Sequence, residues 1–289
     1  MENQRVTFIN GSGLTYQAAK IHIEDRGLQF GESVYEVIAC YSGQFFRLAN
    51  HLARLEISAR CMGLTLPPTE EIITTLEKAK IAAQLGTGLV YLQLTAGELP
   101  RQHSPSVTVP PNFIVIAEAS KVPDFSENLS TLTCMTTKDL RWSLCHIKAT
   151  SLAGSTMAKK QSLAAGFGDA IFVRDGFLTE ATSSNVFLVA NGKLFTPPAD
   201  NFILHGVTRQ AAIEVASRLG IDSEEGHLPA ERLLEADELF LTSTSTGLRP
   251  VLKVDSNAVG SGRVGPITKA VATALHELVT NECRMTANV

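Results

Sequence analysis

Two dipeptides, Asp175-Gly176 and Asn191-Gly192, constrain the fold more than any other feature of this chain. Each follows a short apolar run, Ala170 to Val173 in one case and Asn185 to Val189 in the other. Asp-Gly and Asn-Gly supply the positive φ angles that tight hairpins require, so both predict antiparallel strand pairs. Further strands are expected at Thr131 to Thr136, Glu238 to Thr242 and Val251 to Val254. Helices are expected over Leu152 to Ala165, Gln210 to Leu219 and Pro266 to Thr280.

The first half mixes the same elements. Val6 to Ile9 reads as a strand turned by Asn10-Gly11, and Val34 to Ala39 as another turned by Ser42-Gly43. Asn50 stands where a helix cap is expected, with Leu52, Leu55, Ala59 and Met62 at helical spacing until Gly63. Pro67-Pro68-Thr69 opens a second helix, and Leu89 to Thr95 and Phe113 to Ala117 are strand-like. Pro123-Asp124-Phe125-Ser126 marks a boundary. The expected organisation is mixed α/β (α+β), with a smaller region over residues 1–122, a linker over 123–128 and a larger region over 129–289.

Composition excludes several function classes. A formal net charge of -4 disfavours nucleic acid as the main partner, because phosphate binding needs a basic face. No apolar run is long enough to span a bilayer, and the opening residues lack the apolar stretch of a secretory leader. Five scattered cysteines without C-x-x-C spacing read as reduced thiols rather than staples or metal ligands, so the cytoplasm is the expected compartment and no metal is expected. G-x-x-x-x-G-K-[ST], G-x-S-x-G and H-E-x-x-H are missing. Gly260-Ser261-Gly262-Arg263-Val264-Gly265 spells a dinucleotide fingerprint, but Pro266 follows it and it opens no βαβ unit, so it reads as a loop.

Candidate chemistry begins at Lys148, flanked by apolar and small residues in Leu144-Cys145-His146-Ile147-Lys148-Ala149-Thr150. An amine taken out of water loses its proton more readily and becomes competent to form a Schiff base with an aldehyde. Downstream, Glu180 precedes the hydroxyl-rich Thr182-Ser183-Ser184 and an apolar strand, a setting suited to a protonated ring nitrogen and to phosphate oxygens. His205-Gly206-Val207-Thr208-Arg209 opens a helix whose N-terminal amides suit an anion. Thr242-Ser243-Thr244-Ser245-Thr246 places five hydroxyls at a strand end, and Arg54 offers a guanidinium fork on the first strong helix. Taken one at a time, each has an ordinary structural reading: a surface lysine, a polar turn, a capped helix, a Ser/Thr-rich loop, a solvated arginine.

As a set, these markers resemble the fold-type IV pyridoxal-phosphate enzymes: branched-chain aminotransferases, D-amino-acid transaminases and aminodeoxychorismate lyases. The resemblance runs from Asp25-Arg26-Gly27-Leu28-Gln29-Phe30-Gly31 to Gly265. It implies a small N-terminal α/β domain and a larger cofactor-binding domain with a barrel-like mixed sheet. It implies Lys148 as the Schiff-base lysine and Glu180 as the partner of the pyridine nitrogen. Arg54, Ser183, Ser184, Val207, Thr208, Ser243 and Thr244 would serve the pyridoxal 5'-phosphate cofactor.

Within the family the likeness is to D-amino-acid transaminases. Their P-R-x-H segment is Pro100-Arg101-Gln102-His103 here, and Arg101 and His103 would reach from a partner subunit to hold the substrate carboxylate with Tyr35. That implies a homodimer. Without the resemblance, Arg101 and His103 read as solvated loop residues. Arg141-Trp142 matches as well, whereas Ala149-Thr150-Ser151-Leu152-Ala153 replaces the usual S-L-N-L-L and Glu32-Ser33 replaces the common D-G. The expected reaction is transfer of the amino group of a D-amino acid, of D-alanine or D-glutamate type, to a 2-oxo acid. A branched-chain L-amino-acid or (R)-amine transaminase would keep Lys148 with another carboxylate clamp, and an aminodeoxychorismate lyase would need no oxo-acid acceptor.

Overall fold

The computed structural model describes residues 5–15, 17–104, 106–123, 125 and 129–285. Within the expected linker, Asp124 and residues 126–128 lie outside the described residues. The chain divides into two compact units, one of residues 1–122, 147–151 and 282–289, the other of residues 123–146 and 152–281.

The first unit is built on a six-stranded sheet. Its strands are β1 (Arg5–Ile9), β2 (Ser12–Leu14), β3 (Ser33–Tyr41), β4 (Gln44–Phe45), β5 (Gly88–Thr95) and β6 (Phe113–Ala119). They lie in the order β2-β1-β6-β5-β3-β4, every neighbour antiparallel. A short helix, α1 (Arg26–Phe30), precedes β3, while α2 (Leu48–Cys61) and α3 (Thr69–Ala82) cover one face. Period-two alternation sends Val34, Ile38 and Cys40 into the core beside Leu55, Ala59, Ile72 and Leu76. Asn50 is not the cap of α2. The helix has already turned at Arg47, whose φ of 54° marks the entry, and Asn50 N donates to Arg47 O at 3.0 Å.

The second unit contains β7 (Leu132–Lys138), α4 (Ala153–Ala164), β8 (Asp169–Arg174), β9 (Phe177–Ala181), β10 (Asn185–Ala190), β11 (Lys193–Thr196) and α5 (Val207–Arg218). After these come β12 (Ser223–Glu225), β13 (Glu238–Ser243), β14 (Gly247–Val254), β15 (Asn257–Ala258) and α6 (Pro266–Met285), of which the residues up to Asn281 belong to this unit. β7 runs parallel to β8 and β14, and the remaining pairs of the ring are antiparallel. Because β9 also meets β10, the path β10-β13-β14-β7-β8-β9 closes into a six-stranded mixed barrel. Both expected hairpins are present: Asp175 and Gly176 adopt φ of 51° and 84°, Asn191 and Gly192 φ of 52° and 75°. Val186, Leu188, Leu239 and Leu241 share one apolar face, while the register partners Phe187 and Phe240 stack on the other with centroids 4.9 Å apart.

The expected mixed α/β architecture with a barrel-like C-terminal sheet is what the chain adopts, and its N-terminal sheet is antiparallel throughout. Two segments depart from the expected division: residues 147–151 and the end of the chain from Glu282, both read from the sequence as part of the larger region, group with the first unit. For residues 147–151 the cause is backbone pairing with β3, described below. The five cysteines are free, with Cys61 alone exposed. Among the described residues no helix is long and apolar enough to cross a membrane.

Candidate active site

Lys148 is held by backbone bonds on both sides of its own peptide. Tyr35 N donates to Lys148 O at 2.9 Å, Thr150 N to Ser33 O at 3.0 Å, and Val34 bridges Ala149. Lys148 N donates to Ser58 Oγ of α2 at 3.0 Å. The segment thus acts as a short extra strand on the free edge of β3. Alternation then decides its side chains: Ile147 and Ala149 enter the apolar core, and Lys148 points the other way. Its Nζ sits 4.3 Å from the centroid of the Tyr35 ring, which stacks on Tyr91 at 5.6 Å. Burial pushes the Tyr91 phenol above its ordinary value, and its hydroxyl donates to Gln93 Oε1 at 2.8 Å.

Behind this strand lies a buried charged cluster. Glu36 projects toward α2, where Arg54 Nε and Nη2 donate to its two oxygens at 2.7 and 2.8 Å. His51 Nδ1 lies 2.8 Å from Glu36 Oε2. Burial by itself would raise the Glu36 pKa, but Arg54 and His51 outweigh it and hold the carboxyl at about 2. Burial also lowers the pKa of His51, against the pull of Glu36. His51, Arg54 and Ser58 stand at i, i+3 and i+7, so one stripe of α2 carries the cluster and the acceptor for Lys148 N.

Arg101 and His103 gather on Phe30 at the end of α1. The Arg101 guanidinium carbon lies 4.6 Å from the ring centroid, and the His103 ring meets it edge-on at 5.6 Å. Both side chains are exposed.

In the second unit, Glu180, next to last in β9, is a buried carboxyl with three donors. Arg141 Nη1 donates to Oε1, while Leu204 N at 3.0 Å and Asn185 Nδ2 at 3.2 Å donate to Oε2. Burial raises the Glu180 pKa, and Arg141 pulls against that rise. Arg141 is held in turn by Asp139, at 2.9 Å from both Nε and Nη2, and stays a cation despite its burial.

Asn185 connects Glu180 to the helix start. Its Nδ2 also donates to Leu204 O at 2.8 Å, and a Cβ added at Gly206 would stand 2.1 Å from its Oδ1. Only glycine fits there. Gly206 caps α5 without a side-chain bond, leaving the amides that follow it, with buried Val207 and Thr208, as a partial positive end. Across the ladder Asn185 pairs with Thr242, whose hydroxyl is buried without a hydrogen-bond partner. Ser184 is buried and Ser183 exposed. Ser243 Oγ lies 2.7 Å from Thr246 Oγ1, and Thr244 is half-buried in the same turn. Arg209 is structural: its Nη2 donates to Pro197 O at 2.8 Å and Glu225 Oε2 at 2.5 Å.

A family model described as amino-transferase class IV matches residues 33–254. The chain belongs to that family. A D-alanine aminotransferase of Bacillus licheniformis is 36% identical over 278 residues, covering 96% of this chain and 98% of the relative. One from Listeria monocytogenes is 37% identical, covering 95% and 96%. Among solved structures, the Escherichia coli branched-chain amino acid aminotransferase superposes with a TM-score of 0.89 at 27% identity, covering 96% of this chain and 95% of its own. A branched-chain aminotransferase from Thermobaculum terrenum, in a form described as PLP-bound holoenzyme, gives 0.84 at 26% identity, covering 99% and 98%.

Several side chains of this class IV aminotransferase escaped the sequence reading as site residues. Glu36 left a signal: a carboxylate on the apolar face of a strand must meet a cation, and Arg54 follows within reach on the next helix. Asn185, Ser58 and the support of Glu180 by Arg141 depend on neighbours distant in sequence, for which spacing carries no signal.

Proposed function

We propose that this class IV aminotransferase is a pyridoxal 5'-phosphate-dependent transaminase that moves the amino group of a D-amino acid, of D-alanine or D-glutamate type, to a 2-oxo acid in two half-reactions. Bound, the cofactor supplies an electron sink for the charge left when the substrate's α-proton departs. Lys148 would carry its aldehyde carbon and Glu180 its ring nitrogen. Arg54, Ser183, Ser184, Val207, Thr208, Ser243 and Thr244 would hold its phosphate. The donor set fits: the capless start of α5 and the partnerless, buried Thr242 hydroxyl suit an anion.

Lys148 Nζ takes the α-proton and returns it, over a Tyr35 ring that fixes its approach. The Glu180 carboxylate would keep a proton on the cofactor's ring nitrogen. Tyr35, Arg101 and His103 bind the substrate carboxylate, the last two acting in a neighbouring subunit of a homodimer. Five free thiols accord with a cytoplasmic enzyme. The observation that carries the reading is Lys148 Nζ lying over Tyr35, amine and carboxylate-site residue on one face of one strand pair.

The test is a panel of D- and L-amino acids with 2-oxoglutarate or pyruvate as acceptor, read as 2-oxo acid formed. D-alanine and D-glutamate should turn over, and Arg101→Ala should reduce their kcat/KM by about a hundredfold, as loss of a charged hydrogen-bond partner does. Turnover confined to L-leucine, L-isoleucine and L-valine, indifferent to Arg101→Ala, would support a branched-chain enzyme instead. The likeness to solved branched-chain aminotransferases favours that second reading.

A further inference from the structure

We propose that the ion pair Arg26–Glu32 positions the loop bearing Arg101 and His103, and thereby sets how tightly the enzyme takes substrate carboxylates. This rests on the roles given to those two side chains above.

Arg26 is 3% exposed, and each of its three guanidinium nitrogens donates a hydrogen bond. Nε and Nη2 donate to the two oxygens of Glu32 at 2.6 and 2.8 Å. Nη1 donates to Gln102 O at 2.7 Å and Nη2 to His103 O at 3.3 Å. Its own backbone N donates to Gly97 O at 2.9 Å, so this one residue holds the loop at both ends. Two further ties fix the near end: Leu99 N donates to Glu24 O at 3.3 Å, and Asp25 bridges Glu98.

The guanidinium carbon of Arg26 lies 4.6 Å from the Phe30 centroid, the same ring that receives Arg101 and His103. Arg26 binds loop carbonyls, so the Arg101 and His103 side chains keep their donors for an anion. Glu32 has both oxygens turned to Arg26, which neutralises a carboxylate that would otherwise repel a substrate near that loop. A planar fork can grip a carboxylate and two carbonyls at once, whereas an ammonium cannot.

The test uses cofactor-loaded enzyme with D-alanine and 2-oxoglutarate. Glu32→Gln should raise the KM for D-alanine about tenfold and change kcat by less than about threefold, the pattern of lost binding rather than lost chemistry. The cofactor's visible band should be unchanged. Arg26→Lys, read in the same way, replaces Glu32→Gln if the latter does not fold. In the double variant with Arg101→Ala, the further rise in KM should be well below the roughly tenfold of Glu32→Gln alone, because Glu32 acts through that loop and only His103 is left there. Independent, multiplying rises in KM, a lost band, or an unchanged KM in Glu32→Gln while Arg101→Ala raises it would each overturn the positioning role. An unchanged KM in Arg101→Ala would overturn the carboxylate reading beneath it.

Discussion

Glu180 and Asn185 are joined twice, as the register pair linking β9 to β10 and through Asn185 Nδ2, which donates to Glu180 Oε2 at 3.2 Å. The residue that closes the barrel is therefore also the one that orients the carboxyl. Asn185→Ala removes the bonds to buried Glu180 and to half-buried Leu204 O, leaving each acceptor one donor short. It should cost about 1–3 kcal/mol of stability, measured by urea unfolding.

Gly206→Ala places a methyl group on Asn185 Oδ1, within 2.1 Å. Overpacking of this kind costs about 1–3 kcal/mol, and here it also shifts the first turn of α5. The expected result is weaker retention of added pyridoxal 5'-phosphate on dialysis with the protein still folded by circular dichroism. Retention equal to wild type would mean that the start of α5 does not serve the cofactor.

Glu36 and His51 both have folded-state pKa values below their ordinary ones. For such groups the unfolded chain binds more protons on acidification, so stability falls with pH. The His51 contribution begins to fall away below about 6.5, and that of Glu36 below about 4.5, being lost as the pH approaches 2. Glu36→Gln strands Arg54 without its carboxylate and should cost about 3–5 kcal/mol at pH 7. The gap between variant and wild type should narrow in unfolding curves taken below pH 4.5. A gap that stays constant with pH would rule out an ionised Glu36.

Lys148→Ala should abolish the visible absorption of the lysine-linked cofactor and nearly all turnover. The alanine variant keeps the backbone bonds to Tyr35 and Ser58, so its melting temperature should stay close to wild type without cofactor. An intact absorption band would end the assignment of Lys148.

Much of this architecture was legible beforehand because it is local. Asp175-Gly176 and Asn191-Gly192 turn where backbone sterics demand, and the strands end where the apolar runs do. Lys148 and Glu180 stood out only as members of a spaced set of markers, and what holds them carried no signal in sequence. The edge of β3 receives Lys148 from more than a hundred residues away, and Glu180 finds Arg141 and Leu204 through barrel closure. Asn50 misled for the opposite reason: a good capping residue stood near a helix start that Arg47 had already made in the left-handed region. Arg54 read as a solvated arginine or a phosphate ligand, and its bond to Glu36 became visible only once strand and helix were packed.

The pairing of residues 147–151 with β3 has a consequence for fragments of the chain. A polypeptide ending at Val122 would keep every strand of the six-stranded sheet but lose the donor at Thr150 and the acceptor at Lys148. The Ser33 carbonyl and Tyr35 amide would then face solvent as an unpaired edge beside apolar Val34. Such a fragment should self-associate in solution, and a synthetic peptide spanning 147–151 should suppress that association by taking the vacant place in the ladder.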